Sequence, residues 1–196
     1  MAARTTKGAD ARRRILEAAE AALLENDGAI EMSDVAKRAG VSTGLAYHYF
    51  ASKAGLLATL INEFYDRYDA VANQRMDGAE AWPLRERRRL QAIVDFLYAD
   101  PFAPVVFGRM AGTSEVVAAD VARQRDMIAL SAENIANGQR AGHIPADLDP
   151  AVAGAAIIGG VRQAAAMALS STPPPEKSRF ADQLWSFIAG AVRLSG

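Results

Sequence analysis

The sequence predicts an all-α protein of about nine helices. Three observations predict it. Alternation of β-branched residues, the mark of a half-buried strand, is rare. Alanine, the strongest helix former, is abundant. Apolar residues recur at three- and four-residue spacing along the whole chain.

A first helix is expected over residues 10–26, with Ile15, Ala19, Ala22 and Leu23 on one face. Gly28, in "NDGAI", supplies a left-handed stop. A short second helix over 33–39 ends at Gly40. Ser42 opens a third helix over 43–50, and Ser52 opens a fourth. A serine at such a position accepts from backbone N–H groups that the first turn leaves orphaned. The fourth helix keeps Leu57, Ile61, Phe64, Tyr68 and Val71 on one stripe to about residue 75. At 1.5 Å per residue that is roughly 34 Å, long enough to join two parts of a protein.

"MDGAEAWP" breaks the pattern. A fifth helix covers about Leu84 to Ala99, "DPFAP" interrupts, and a short sixth holds Val105 to Met110. Residues 114–140 form a long seventh. "RAGHIPADLDP" ends it, with a stop at Gly142, a cap at Asp149 and proline at the first helical position, Pro150. The eighth covers about 150–170, the proline-rich "SSTPPPEKS" follows, and the ninth covers about 178–194.

The chain has 196 residues, 51 % of them hydrophobic, which allows one or two compact domains. Net charge is −1, but its distribution is uneven. Arg4, Lys7, Arg12, Arg13 and Arg14 face Asp10 alone in the first 14 residues, and Lys37, Arg38 and Lys53 follow. A basic end on a neutral chain is an electrostatic footprint suited to nucleic acid. The absence of cysteine excludes disulfides and thiolate metal sites and suits a reducing cytosol. The polar, charged N-terminus is no signal peptide. The most apolar segment, 150–169, is interrupted by Arg162 and Gln163. Its uncharged run falls short of the roughly 20 residues that span a bilayer. A cytoplasmic protein with no membrane partner is expected.

The stretch "AKRAGVSTGLAYHYFASKAGLL", residues 36–57, has the layout of a helix-turn-helix. In that motif the second helix enters the DNA major groove with its N-terminal residues toward base edges. Gly40 allows the turn, Ser42 caps the reading helix, and Gly44 lets the backbone approach closely. Tyr47, His48 and Tyr49 offer donors to phosphates, and Lys53 starts a helix where phosphate is favoured. Phe50 and Leu45 are spaced to anchor the helix. The same rings can also pack inward as the core of an ordinary helical hairpin.

"RRRILEAA" together with "DVAKRAGVSTGLAYHYFASKAGLL" resembles the N-terminal domain of the TetR family of transcriptional regulators. The likeness covers roughly residues 11–60 and is gapless from Val35 to Leu57. It departs from the family pattern in three places. The loop between Asn26 and Ser33 is about two residues short, leaving Glu31 or Ser33 as the cap of the second helix. Leu45 and Ala46 stand where threonine and leucine are usual. Thr43 stands where lysine is common. The resemblance implies a homodimeric repressor of a palindromic double-stranded operator, released by a small apolar or amphipathic effector. It implies a helix-turn-helix DNA-binding domain over 1–52 and an effector-binding and dimerisation domain over 53–196. Carried over, Thr43, Gly44, Leu45 and His48 face bases. Ser33, Tyr47, Tyr49 and Lys53 contact phosphate, with Ser42 at the same edge, and the arm with Arg4 and Lys7 adds contacts.

Two further groups fit that reading. Ala153, Ala156, Ile157, Gly160, Ala164 and Ala168 make the eighth helix small and apolar, and Leu184, Phe187 and Ile188 lie on the ninth. Helices apolar over most of their circumference are buried on more than one side, in a monomer core or at a dimer interface. Phe96, Phe102, Phe107, Met110, Met127 and Met167 are ordinary core one by one, and together can line an effector pocket. Arg162, the odd charge of the eighth helix, is either structurally paired, snorkelling to water, or placed for an acidic group on the effector. "RERRRL", residues 85–90, reads as a solvated face and His143 as inert.

No enzyme is expected, and no cofactor or metal. The chain has two histidines and lacks the nucleophile elbow, the P-loop and the dinucleotide fingerprint. The rival readings are a regulator without an effector, working through a partner protein, and a helical enzyme.

Overall fold

The computed structural model describes residues 2–26, 28–74, 81–109 and 114–194. Among these residues there is no strand. Eight α-helices are formed: α1 (Ala2–Glu25), α2 (Met32–Arg38), α3 (Thr43–Phe50), α4 (Lys53–Ala72), α5 (Trp82–Ala99), α6 (Ser114–Arg140), α7 (Pro150–Ser170) and α8 (Lys177–Ala191). The short sixth helix expected at 105–110 is a π-helical segment, Val105–Arg109. α1 begins eight residues earlier than its apolar stripe predicts.

The stops and caps sit where the sequence places them. Gly28, Gly40 and Gly142 have φ of 89°, 65° and 76°, the left-handed region that side chains rarely adopt. Ser42 Oγ accepts from the Leu45 N–H, Ser52 Oγ from that of Gly55, and Asp149 from those of Ala151 and Val152. Ala51 is an exception to the usual chemistry. It turns at φ 60° and ψ −42°, and the Ser52 N–H closes a three-residue turn onto Phe50 O at 2.6 Å. That tight turn brings α3 hard against α4. A Cβ on Gly55 would lie 2.2 Å from the Phe50 carbonyl oxygen, so only glycine fits without movement.

One apolar core runs from the first three helices into the rest of the chain along α4. Ile15, Ala19, Leu23, Val35, Ala46 and Phe50 join Leu56, Leu60, Ile61, Phe64 and Tyr65, and then Leu97, Phe102 and Val105. At 20 residues α4 is about 30 Å long. Cations clasp it along that length. Arg12 of α1 pairs with Glu63, Arg67 with Asp100 at the end of α5, and Arg123 of α6 with Asp69 and Asp66. Arg89 donates to the Ala72 carbonyl at the α4 C-terminus. Arg85 and Arg89 both hold the buried Glu86, and Arg87 reaches Asp182. "RERRRL" therefore ties α5 to α4 and α8 and is only partly a solvated face.

The rest packs as two smaller cores. Trp82, Ile135, Ile144, Ala153, Ile157 and Val192 form one, and Leu90, Val94, Ala168, Phe180 and Leu184 the other. α6 and α7 approach closely at Gly154, where a Cβ would lie 3.0 Å from the Ala132 nitrogen. By length and composition α7 is apolar enough to cross a membrane, contrary to the reading that its run is too short. In the fold it packs on α6, and Ala153, Gly154, Ile157, Ala165 and Ala168 are buried.

Candidate nucleic-acid interface and effector region

α3 is short and packs along one side only. Ala46 and Phe50, four residues apart, are buried. Thr43, Gly44, Tyr47 and His48 therefore fall together on the opposite face, and all four are exposed. Ser42 is exposed at the start of that face. Among the described residues, nothing outside the surrounding turn of its own helix lies within 4 Å of where a Gly44 Cβ would stand, so the helix surface there is flat and open. Leu45 and Tyr49 flank the face and are half-buried. Ser33 is exposed on α2, whose backbone N-cap is Glu31.

Two expected phosphate contacts are engaged within the chain. Lys53 Nζ donates to the Ile30 carbonyl at 3.1 Å and to Glu31 Oε1 at 3.0 Å. Tyr49 packs against the head core, with its hydroxyl 3.2 Å from where a Gly8 Cβ would stand. The basic end is also largely spent internally. Arg13 binds Asp10 and Glu17, and Arg38 binds Glu25. These guanidinium groups hold the carboxyls of Asp10 and Glu25 below the usual carboxylate range. The side chains of Arg4 and Lys7 lie outside the described residues.

Two arginines carry structural roles that spacing alone does not reveal. Arg14 Nη1 donates to the Ala39 carbonyl at 3.0 Å and so holds the turn between α2 and α3 against α1. The Arg12 guanidinium lies 5.5 Å above the Phe50 ring. Both side chains reach across from a neighbouring helix, and their only signal in the sequence is positive charge.

The second region is built around Phe64 of α4. Its ring centroid lies 5.6 Å from that of Phe96, 6.3 Å from Phe102 and 6.1 Å from Phe107. Met127 packs against the same core. Arg162 enters from α7. Its Nη1 donates to the Tyr65 hydroxyl at 2.7 Å, and its guanidinium lies 5.2 Å over the Phe107 ring. Burial, reinforced by Asp69 and opposed by Arg162, pushes the Tyr68 hydroxyl up to about 12. Tyr65 and Tyr68 were not among the expected effector residues. They sit at i and i+3 on α4, a spacing indistinguishable from ordinary core. Met110 lies outside the described residues. Met167 is not with the rings: it is 54 % exposed on the far side of α7.

Met167 belongs instead to an outward face of α7 and α8. Ala153, Ile157 and Ala168, expected at an interface, are buried in the chain's own cores and are unavailable to a partner, and Leu184 is largely buried and reaches the surface only at the floor of a groove. The reason is that α5, α6 and α8 already cover that side of α7. Val152, Ala156 and Met167 are exposed, Gly160 and Ala164 half-exposed, and the spacing is that of one helical stripe. Phe187 is 46 % exposed beside them, and Ile188 is half-buried. Gly160, Ala164, Met167, Leu184 and Phe187, with Arg179 and Glu176 at one end, line a groove of about 460 Å³.

Residues 15–60 match the sequence model of the bacterial regulatory proteins of the tetR family. The chain is 40 % identical over 98 residues to the HTH-type transcriptional regulator BetI of Rhizobium meliloti, across 47 % of this chain and 45 % of that protein. It spans less than half the length of the curated relatives it matches. The fold as a whole matches NalD, the secondary repressor of the MexAB-OprM multidrug efflux pump in Pseudomonas aeruginosa. The TM-score is 0.72 at 22 % identity, over 97 % of this chain and 100 % of that one. It also matches the regulator FadR from Bacillus subtilis in complex with stearoyl-CoA. There the TM-score is 0.74 at 18 % identity, over 92 % and 98 % of the two chains.

Proposed function

We propose that this chain, whose helix-turn-helix head matches the tetR family of bacterial regulatory proteins over residues 15–60, is a dimeric transcriptional repressor that a small molecule releases from a palindromic operator. The observation that carries the proposal is the exposed face of α3. Thr43, Gly44 and His48 share it with Tyr47, and the helix opens at a capped, unobstructed N-terminus. Thr43, Gly44 and His48 read bases. Tyr47 and Ser33 hold phosphates, and Leu45 borders the reading face.

Dimerisation uses the outward stripe of α7 with Phe187 of α8. A two-fold axis there would present two heads to half-sites about one helical turn apart, roughly 34–36 Å. The effector enters at the ring cluster, where Phe96, Phe102, Phe107 and Met127 supply apolar surface and Arg162 a charge for an acidic group. The Bacillus subtilis FadR, whose fold this chain matches, is a transcriptional regulator solved in complex with stearoyl-CoA. α4 carries the response, since it begins beside α3 and passes through the ring cluster. A tenfold change in operator affinity needs about 1.4 kcal/mol of coupling between the two sites.

The test is duplex binding by the wild type and by Ala156→Glu, whose altered residue is exposed and on the stripe. The wild type is expected to sediment as a dimer and to bind its operator. The variant is expected to sediment as a folded monomer and to bind about 10²- to 10⁴-fold more weakly, the loss of linked heads. A wild type that stays monomeric at micromolar concentration removes the dimer, and one that binds no duplex at low salt removes the function.

A further inference from the structure

The feature concerned is Glu31, and its interpretation rests on the DNA-binding reading above. By backbone it is the N-cap of α2 (φ −122°, ψ 139°), yet its carboxylate makes no capping hydrogen bond. It turns instead to the first residue of α4, where Oε1 accepts from Lys53 Nζ at 3.0 Å. The same ammonium donates to the Ile30 carbonyl at 3.1 Å. Both partners are at the surface, with side chains 43 % (Lys53) and 71 % (Glu31) exposed.

We propose that Glu31 is an internal stand-in for a DNA phosphate: it occupies Lys53 in the free head and gives way to a backbone phosphate when duplex docks, so that it sets the head's affinity. The geometry suits an exchange. An ammonium has three donors, and the Ile30 carbonyl fixes it from one side through a bond that DNA need not disturb. The acceptor on the other side is an anionic oxygen, the same chemistry as a phosphodiester. An exposed ion pair of this kind is weak and therefore replaceable. A phosphate on a duplex also gains from counterion release, which a carboxylate on the protein does not. Glu31 is free to act this way because it serves no cap.

The experiment is anisotropy of a labelled 40-base-pair duplex of arbitrary sequence, titrated with the full chain at several salt concentrations. Phosphate contacts are independent of sequence, so no operator is needed. Glu31→Gln removes the charge and keeps the shape, and Glu31→Ala removes the acceptor as well. Circular dichroism checks that both fold. Each is expected to bind about two- to fivefold more tightly per head, the range of an exposed ion pair. In a Lys53→Gln background the same substitutions are expected to change nothing. An equal gain in both backgrounds would make Glu31 a source of general repulsion and overturn the proposal. A loss of affinity, or no change, on removing Glu31 overturns it too. Failure of the wild type to bind any duplex at low salt is a separate outcome, which rejects the DNA-binding premise and this proposal with it.

Discussion

Tyr47 and His48 on α3 face outward, whereas Phe64, Tyr65 and Tyr68 on α4 are buried, although both helices carry adjacent rings. Residue type does not separate the two sets; the number of neighbours does. α3 rests on one surface, made by α1, α2 and α4, and one small and one large contact, Ala46 and Phe50, satisfy it. α4 is covered by the head on one side and by α5 and α6 on others, and its rings fall on those covered sides, while Asp66, Arg67 and Ala70 take the exposed one. The outward rings are then available for a ligand as large as a duplex. The inward ones are reached only by something small enough to enter a core.

The comparison breaks most visibly if the two sets are truncated. Phe64→Ala removes a fully buried ring that meets three other phenylalanines, and is expected to cost about 3–5 kcal/mol. Tyr47→Ala is expected to stay within roughly 0.5 kcal/mol of the wild type in stability while weakening duplex binding, because it removes an exposed ring. Urea denaturation of both proteins measures the difference. A Tyr47 variant as unstable as the Phe64 variant would mean that α3 packs its rings inward after all.

A smaller effect sharpens the same contrast at high pH. The Tyr68 hydroxyl is pushed up to about 12 by burial, with Asp69 adding to the shift and Arg162 opposing it. The unfolded chain releases that proton near the ordinary tyrosine value of about 10. Below that pH both states are protonated and the contribution to stability is whole. Between about 10 and 12 only the unfolded state ionises, so stability falls as pH rises, by on the order of 2 kcal/mol across the window. Urea midpoints at pH 9 and 11 are expected to differ more for the wild type than for Tyr68→Phe. Equal differences would place Tyr68 in contact with water.

The sequence-readable part of the molecule is the part specified by local chemistry. Gly28, Gly40, Gly142, Ser42, Ser52 and Asp149 each fix a turn or a helix start by their own backbone or side chain, and those boundaries are legible within a residue or two. The start of α1 is not, because residues 2–9 carry no apolar stripe to announce a helix. The π-helical segment is not, because a short apolar run does not encode its hydrogen-bond period. On the site, the face of Thr43, Gly44, Tyr47 and His48 follows from the cap and the turn. The division of α7 into a buried side (Ala153, Ile157, Ala168) and an outward side (Val152, Ala156, Met167) does not, since both sides are equally apolar. The positions of α5, α6 and α8 decide it. Arg14 on the Ala39 carbonyl and Glu31 on Lys53 are likewise contacts between elements far apart in the chain, and no spacing rule registers them.

The smallest expected effect on stability isolates the outward region from the inward one. The reading helix opens with a serine, Ser42, and α7 opens with an aspartate, Asp149, and both cap their helices. Serine and aspartate are about equally good caps, so exchanging them changes little in the fold. Ser42→Asp and Asp149→Ser are each expected to stay within about 0.5 kcal/mol of the wild type. Their effects on duplex binding should nonetheless differ. An aspartate at 42 places a negative charge at the open end of α3, where a phosphate backbone would pass, and repulsion there is strongest at low salt. Ser42→Asp is therefore expected to bind several-fold more weakly at low salt, with a gap that narrows as salt rises. Asp149→Ser sits in the body, and its affinity is expected to remain that of the wild type at every salt concentration. Anisotropy titrations at two ionic strengths distinguish the cases. Wild-type affinity in Ser42→Asp would mean that the start of α3 stays clear of the phosphates, and the reading face would have to be sought on another helix.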